Sequence, residues 1–158
     1  MAEVYVSNLN DSAREKSITL LKDRLAEALD LTLAVKQAHW TIKGPSFIGL
    51  HELLDEVATR MRDHADEIAE RCVILGGQPH GTIGEAAQKT SLDAYPADAV
   101  KQTDHVEALT SRLKEFGARL RKSIDEAGDA GDEDTADLFT GVSRVIDKDA
   151  WFIGSHIA

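Results

Sequence analysis

Residues 39–70 read HWTIKGPSFIGLHELLDEVATRMRDHADEIAE, and this stretch decides the fold. The glycine and proline at 44–45 interrupt a helical pattern, and Ser46 can cap a new helix. Beyond it, apolar residues recur every three or four positions, which is the spacing of one face of an α-helix. The glycines at 76–77 predict the end of this second helix. Its apolar stripe comprises Leu50, Leu54, Val57, Met61, Ala65, Ile68, Cys72 and Leu75.

Similar stripes predict three further long helices. Residues 76–96, rich in glycine, serine, threonine and proline, predict a long crossover with a short helical turn near 83–87. A third helix is expected from about residue 97 to 127, and residues 127–137 (AGDAGDEDTAD) predict a turn before the fourth. The first helix presents Leu21, Leu25, Ala28, Thr32, Val35 and His39. The third presents Val106, Leu109, Leu113, Phe116 and Leu120, and the fourth Leu138, Phe139, Val142, Val145, Ile146 and Ile153.

Four long helices with one long middle connection predict an all-α, ferritin-like four-helix bundle. No strand-like alternation of any length interrupts the helical pattern. The chain of 158 residues is expected to form one domain, 1–158, with a short N-terminal tail at 1–12.

Composition narrows the class of protein. The formal net charge of −10 disfavours general attraction to nucleic acid or to an anionic membrane, and it suits a protein that attracts cations. Cys72 is the only cysteine, so an intrachain disulfide is excluded and a reducing compartment is favoured. The sequence has neither a membrane-spanning apolar run nor a signal-like N-terminus, so a cytoplasmic location is expected.

The same stretch, 39–70, supplies five candidate metal ligands. Imidazole and carboxylate groups together suit a redox-active transition metal such as iron. Two of the candidates, His51 and Asp66, are fifteen residues apart, or about 22 Å along one helix, so no single metal can join them. The candidate ligands are His39, His51, Asp55, Asp66 and Glu70.

The angular positions of these residues predict how the site closes. With His51 at zero, Asp55, Asp66 and Glu70 fall at about 40°, 60° and 100°, away from the apolar stripe near −85°. An antiparallel, two-fold copy of this helix would bring the first two residues towards the last two, which predicts an intersubunit site. The same outward face is expected to carry the small or apolar residues Ala58, Ala69 and Val73.

Alternative interpretations remain open from spacing alone. Acidic residues four apart are ordinary on a solvated helix, and Arg62 could form a weak surface pair with Asp66. His39 could be a core histidine with its hydrogen bonds satisfied. The Glu-x-x-His pairs of intrachain di-iron bundles, HExxH and CxxC are all absent from the sequence.

Four motifs together resemble the Dps family, the DNA-protection-during-starvation miniferritins. They are KQAHW (36–40), GxxFxxLHxxLD (44–55), DHADEIAER (63–71) and DTADLF…SRVIDKDAWF (134–152). The resemblance spans essentially the whole chain. It implies a hollow dodecamer that oxidises Fe(II), preferentially with hydrogen peroxide, at two-fold interfaces and stores ferric mineral, so protecting against oxidative damage.

The resemblance also implies roles for individual residues. His39, His51 and Asp55 match ligands or near-ligands from one subunit, and Asp66 and Glu70 match those from its two-fold partner. The implied ferroxidase centre has two sites, holds one or two irons and could accept zinc instead. The resemblance further implies that Trp40 exchanges electrons during peroxide reduction, although an interfacial tryptophan is also good packing.

A second acidic cluster has two interpretations. Acids in the first turn of a helix interact favourably with its positive end, so the cluster could be purely structural. The resemblance instead implies that Asp134 and Asp137 line iron-entry pores, where carboxylate rings attract cations. The cluster comprises Asp129, Asp132, Glu133, Asp134 and Asp137.

The chain departs from many family members in lacking a basic tail. Residues 1–13 contain no lysine or arginine, and with a charge of −10 we expect DNA binding to be weak or absent. Three other functions compete with the ferroxidase: a nucleoid-protecting, DNA-compacting protein, an adhesin-like helical module with a vestigial site, and a ferritin-like oxygenase. The missing Glu-x-x-His makes the oxygenase the weakest of these.

Overall fold

The structure, a computed structural model, describes residues 3–157. The long helices are α1 (Asp11–Thr41), α2 (Phe47–Ile74), α4 (Gln102–Ala130) and α5 (Glu133–Gly154), and a short helix, α3 (Ile83–Lys89), lies in the crossover. The predicted all-α bundle with one long middle connection is confirmed. Bridge-type strand pairing within 3–157 is confined to one isolated contact between Lys43 and Lys101.

The core forms where the predicted apolar stripes meet. Helix α1 packs along α2 and against α4, while α5 packs along α4 and against α2. Every predicted inward residue of α2 and α4 is buried, and in α1 only His39 is half-buried. In α5, Leu138 and Val145 are half-buried and the other predicted residues are buried. Cys72 is 1% exposed, so it is the small core residue that its position on the stripe predicted.

The turn between α1 and α2 forms at the predicted glycine and proline, 44–45. The Ser46 side chain makes no capping hydrogen bond, but its backbone N–H donates to Gln102 Oε1 at 3.0 Å. A Cβ atom on Gly44 would lie 2.7 Å from Gln102 Cβ, so only glycine allows this close approach. The start of α2 is thereby tied to the start of α4.

The third long helix begins later than predicted. Residues near 97 were expected to be helical, but α4 begins at Gln102. The Lys43 N–H donates to the Val100 carbonyl at 2.9 Å, and the Gln102 N–H donates to the Lys43 carbonyl at 2.9 Å. These bonds to the α1–α2 turn hold residues 100–101 extended, so tertiary contacts override local helix propensity.

The predicted turn at 127–137 is also much shorter in the structure. Helix α4 continues to Ala130 and α5 begins at Glu133, so only Gly131 and Asp132 separate them. Gly131 has φ of 93°, the left-handed conformation that ends a helix. Asp132 caps α5 by accepting from the Thr135 N–H at 3.1 Å. One glycine that ends a helix and one aspartate that caps the next are therefore enough to turn the chain.

Helix α1 begins at Asp11, within the last two residues of the segment predicted as a tail, 1–12. The Asn10 side chain caps α1 by accepting from the Ala13 N–H at 2.8 Å. Within residues 3–157, the helices are too short or too polar to span a bilayer.

Candidate metal centre

Two histidines face each other where α1 ends and α2 begins. His39 Nδ1 lies 2.7 Å from the carbonyl oxygen of His51, and His51 Nδ1 lies 2.8 Å from the carbonyl oxygen of His39. The rings stack with centroids 3.8 Å apart. A carbonyl oxygen only accepts, so each Nδ1 must carry the proton and donate it.

This reciprocal pairing leaves both Nε2 atoms available as metal donors. In a neutral imidazole whose Nδ1 is protonated, Nε2 keeps its lone pair. Metal-binding histidines commonly donate the other ring nitrogen to a backbone carbonyl, which fixes the tautomer and the ring orientation. The interpretation of His39 as a core histidine is therefore incomplete: one nitrogen is satisfied, and the other is free to bind a metal.

Asp55 completes the group that we call the histidine cluster (His39, His51 and Asp55). Asp55 lies one helical turn after His51 on α2. All three residues line one open concavity of about 440 Å³. Lys36 on α1 donates from Nζ to Asp55 Oδ1 at 2.7 Å. That hydrogen bond, and then the lysine charge, lower the pKa of Asp55, which keeps it an anionic oxygen donor.

Asp66 and Glu70, which we call the carboxylate pair, lie further along α2. Both are exposed, and within residues 3–157 neither makes a side-chain hydrogen bond or ion pair. The predicted surface pair with Arg62 does not form among the described residues. Asp66 lines a concavity with Leu25 and Ala69, whereas Glu70 lines another.

A single chain therefore holds the candidate ligands in separate groups. Within 3–157, no three histidine, cysteine, aspartate or glutamate side chains come together in a geometry that could hold a metal. The outward face of α2, on which small or apolar residues were predicted, differs from that prediction at one residue. Ala58 is 1% exposed and belongs to the core, while Val73 is 46% exposed as expected.

Trp40 follows His39 directly but points elsewhere. Its side chain is 66% exposed and lines a neighbouring concavity with Phe47 and Val100, not the one of the histidine cluster. Lys36 Nζ lies 5.8 Å from the centroid of the indole ring, within range of a cation–π interaction. Lys36 thus contacts both the exposed tryptophan and Asp55.

The second acidic cluster divides into a structural residue and exposed ones. Asp132 is 3% exposed and accepts from Arg71 Nη2 at 2.9 Å. Burial by itself raises the pKa of Asp132, but hydrogen bonds from Thr135 and the charge of Arg71 outweigh it and lower the pKa. Asp134 and Asp137 are exposed, and Asp137 lines the same concavity as Glu70.

Sequence reasoning missed several residues of the histidine cluster's surroundings. Glu52 and Glu56 line its concavity, and their four-residue spacing beside His51 and Asp55 was a usable signal. The Lys36 contact could also have been sought, because Lys36 lies three residues before His39 on the same helix face. The two carbonyl acceptors carried no side-chain signal at all.

Comparisons with known proteins identify the family of this chain. Residues 18–158 match the ferritin-like domain family. The DNA protection during starvation protein of Agrobacterium fabrum is 45% identical over 151 residues, which cover 96% of this chain and 93% of that protein. Dps from Mycobacterium smegmatis superposes with a TM-score of 0.93 at 32% identity, covering 99% of this chain and 89% of that one.

A further solved relative is Dps from Microbacterium arborescens in the high iron form, with a TM-score of 0.87 at 32% identity. The alignment covers 94% of this chain and 96% of that one. Identity above 30% over nearly the whole length, together with the same arrangement of helices, goes beyond a shared fold. The chain belongs to the ferritin-like family and, within it, to the Dps proteins, whose family-level functions are iron storage and DNA protection.

Proposed function

We propose that this protein is a ferroxidase and iron store. Its subunits oxidise Fe(II), preferentially with hydrogen peroxide, at centres between two-fold related copies, and a dodecameric cage of them retains the ferric mineral. The observation that carries this proposal is the division of α2. At its start, His51 pairs with His39 of α1 through reciprocal hydrogen bonds that orient both imidazoles, and further along α2 lies the exposed carboxylate pair.

Antiparallel pairing of α2 with its copy would complete both centres. His51 and Asp66 are about 22 Å apart on one helix, so a copy running the opposite way places the carboxylate pair of one chain near the histidine cluster of the other. Two equivalent centres then form for each dimer. Exposed Val73 and half-buried Ala69 offer apolar contact area beside the carboxylate pair.

Each side chain has a chemical task in this proposal. The imidazoles of His39 and His51 hold the substrate Fe(II), while Asp66 and Glu70 favour the harder Fe(III) product. Asp55 binds either directly or through water. Each centre takes one or two irons, and zinc is a possible substitute.

The stoichiometry explains the protective effect. Two Fe(II) ions each release one electron, and one hydrogen peroxide accepts both while its O–O bond breaks. With two protons the products are two waters and two Fe(III), without release of hydroxyl radical. Trp40, exposed in the concavity next to that of the histidine cluster, is the side chain proposed to exchange an electron when the two transfers are not simultaneous.

Iron entry is proposed at pores lined by Asp134 and Asp137. Carboxylates arranged in a ring attract cations, and both of these side chains are exposed at the start of α5. Asp137 shares a concavity with Glu70, so an incoming ion would meet carboxylates on both α5 and α2.

Stopped-flow oxidation of Fe(II) by the assembled protein tests the proposal. We expect peroxide to act faster than dioxygen at equal oxidising equivalents, and His39→Ala to lose most of the rapid phase. A rapid phase of wild-type rate in His39→Ala would exclude the proposed centre. Light scattering on the metal-free protein should show a dodecamer, whereas a monomer would contradict the whole arrangement.

The alternative function is a DNA-binding, nucleoid-protecting protein, favoured by the name of the Agrobacterium fabrum relative. The charge of −10 per chain, repeated in an oligomer, opposes binding to phosphate. We therefore expect no stable complex in a mobility-shift assay of the assembled, metal-free protein at about 150 mM salt. A stable complex under those conditions would favour the alternative.

A further inference from the structure

The side-chain amide of Gln102, the first residue of α4, makes hydrogen bonds beside two other helices. Its Oε1 accepts from the backbone N–H of Ser46, just before α2, at 3.0 Å. Its Nε2 donates to the carbonyl oxygen of His156, just after α5, at 3.5 Å. Because a backbone N–H only donates and a carbonyl only accepts, these partners identify which end of the amide is the oxygen. Gln102 is 8% exposed, so the amide is a buried junction between three helices.

Helix α2 depends on this junction because its own N-terminus lacks a capping side chain. The Phe47 N–H donates to the Gly44 carbonyl at 3.1 Å and closes a β-turn with Ser46 at its third position. Ser46 has φ of −101° and ψ of 24°, which suit that position but not the extended conformation of a capping serine. Its side chain makes no capping hydrogen bond, and residues 47–50 include no acid. Gln102 therefore supplies from α4 the anchor that a local cap ordinarily provides.

The backbone of Gln102 ties the other side of the same turn. The Gln102 N–H donates to the Lys43 carbonyl, and the Lys43 N–H donates to the Val100 carbonyl, both at 2.9 Å. Lys43 follows the end of α1, and Ser46 precedes the start of α2. Residues 100–102 thus hold both sides of the α1–α2 turn and set the position of one helix relative to the other. The side-chain bond to Ser46 is the part of this contact that a substitution can remove.

The histidine pair depends on that relative position. His39 Nδ1 and His51 Nδ1 each donate to the carbonyl of the other residue, at 2.7 and 2.8 Å, so both bonds cross from α1 to α2. His39 lies about one helical turn before Lys43. His51 lies less than two turns after Ser46. Hydrogen bonds weaken steeply as their geometry departs from the ideal, so a shift of α2 against α1 weakens both bonds together.

We propose that Gln102 is a positioning residue for the histidine pair. It holds the start of α2 where each Nδ1 reaches the opposite carbonyl, and so it keeps the protons on Nδ1 and both Nε2 lone pairs free. An imidazole released from its carbonyl can carry its proton on Nε2 instead, where the proton blocks a metal. The consequence for iron rests on the proposed function, whereas the position of the ring protons is a property of the metal-free protein.

Solid-state ¹⁵N NMR of the assembled, metal-free protein, labelled at the histidine ring nitrogens, tests the proposal. Protonated and unprotonated ring nitrogens give well-separated signals, and single histidine variants assign them. At a pH where imidazoles are ordinarily neutral, we expect wild-type His39 and His51 to carry the proton on Nδ1 alone. Gln102→Met has a side chain of similar length but neither hydrogen bond, so a second population with the proton on Nε2 should appear in both histidines.

Two control variants separate positioning from general stability. Gln102→Glu keeps an oxygen for the Ser46 N–H and loses only the donor to His156, so it should retain the wild-type signals. Ser123→Ala removes a buried hydrogen bond from Arg24 Nη1, 2.9 Å long, that also joins α1 to α4. Ser123 lies roughly 31 Å further along α4, so this variant should lose stability without moving the histidine protons.

Calorimetric titration of the same metal-free samples with Zn(II) measures the consequence for metal binding. Gln102→Met should weaken binding by about tenfold, the lower end of the 10–100-fold effects of outer-shell changes. Gln102→Glu and Ser123→Ala should bind within about twofold of wild type. If Gln102→Met does not assemble, Gln102→Asn, whose amide is one methylene shorter, removes the same bond to Ser46.

Several results would overturn the proposal. They are a mixture of ring tautomers in the wild type, wild-type signals in Gln102→Met, a change in Ser123→Ala or Gln102→Glu as large as in Gln102→Met, or Zn(II) affinity that stays unchanged when the tautomers change. If the wild type shows the expected tautomers but does not oxidise Fe(II), the proposed function fails while the role of Gln102 in holding the histidines stands.

Discussion

The two ends of α2 differ in how firmly the fold holds their candidate metal ligands. In the histidine cluster, side chains are fixed by reciprocal carbonyl bonds and by Lys36. In the carboxylate pair, Asp66 and Glu70 are exposed and make no side-chain bonds within residues 3–157. Folding of one chain therefore orients the imidazoles, whereas the proposal requires a second chain to position the carboxylates.

The backbone beneath the carboxylate pair is nevertheless anchored. Arg71 follows Glu70 directly and pairs with buried Asp132 at 2.9 Å, joining the end of α2 to the start of α5. The position of α2 is thus fixed at both ends, and only the carboxylate side chains remain free. The following predictions use this difference, from the largest expected effect to the smallest.

Replacing the carboxylate pair should abolish rapid chemistry without harming the fold. Asp66→Asn with Glu70→Gln should lower the peroxide-dependent rate of Fe(II) oxidation by at least about a hundredfold, since even outer-shell changes at metal sites cost 10–100-fold. The denaturation midpoint should hardly change, because neither side chain has a hydrogen-bond or ion-pair partner among residues 3–157. Stopped-flow absorbance and urea unfolding measure the two effects.

The matched control removes the same number of negative charges from other positions of α2. Asp63→Asn with Glu67→Gln changes two exposed acids near the carboxylate pair and should leave the rate within about twofold. Equal losses in both double variants would mean that general negative charge, not ligation, explains the rate.

Replacing Asp132, which joins α5 to Arg71 of α2, should have the opposite effects. It should lower the stability of the fold strongly. Asp132→Ala loses a helix cap and the ion pair with Arg71, so the free energy of unfolding should fall by about 2 to 4 kcal/mol. Asp132→Asn keeps the capping oxygen and should lose less. Urea denaturation at one fixed protein concentration compares the variants.

The advantage of wild-type protein over Asp132→Ala should also depend on pH. The folded protein lowers the pKa of Asp132 below its ordinary value of 3.8, so the stabilisation is complete above that value. It is lost as pH falls below 3.8 and through the lowered pKa, where the folded protein takes up the proton. If the stability difference between wild type and Asp132→Ala grew as the pH fell, the assigned Asp132–Arg71 ion pair would be contradicted.

Removing the hydrogen bond that holds Asp55 in the histidine cluster should have the smallest effect on Fe(II) oxidation. Lys36→Met removes the hydrogen bond to Asp55 but no proposed ligand, so the oxidation rate should fall by about tenfold at most. Lys43→Met, an exposed change just beyond α1, is the control and should be neutral. A loss as large as that of the carboxylate variant would place Lys36 itself in the reaction.

The fold could be predicted where local signals and tertiary contacts agree. Glycine and proline at 44–45 and the glycines at 76–77 bound α2 correctly, because backbone chemistry alone interrupts a helix there. The start of α4 was wrong because Lys43, far away in sequence, holds residues 100–101 extended. The turn at 127–137 was too long because Gly131 and Asp132 suffice to end one helix and cap the next.

For the candidate site, the sequence predicts a set of residues, and the structure adds how one chain arranges them. The distance along α2 between His51 and Asp66 could be calculated from the sequence, because it depends only on the rise per residue of an α-helix. That distance separates His51 and Asp55 from Asp66 and Glu70. Spacing could not reveal that backbone carbonyls orient the imidazoles. It also placed Ala58 on the outward face, but Ala58 lies between the two faces of α2 and is buried in the hydrophobic core.

Complementation tests the central claim, that each centre is shared between two chains. One variant carries His39→Ala and His51→Ala, the other Asp66→Asn and Glu70→Gln, and each alone should be inactive. In a mixed dimer of co-expressed chains, one centre would combine the two intact groups and the other the two altered groups. The account predicts that mixed oligomers regain rapid Fe(II) oxidation; mixed oligomers that form but remain as inactive as either variant would contradict it.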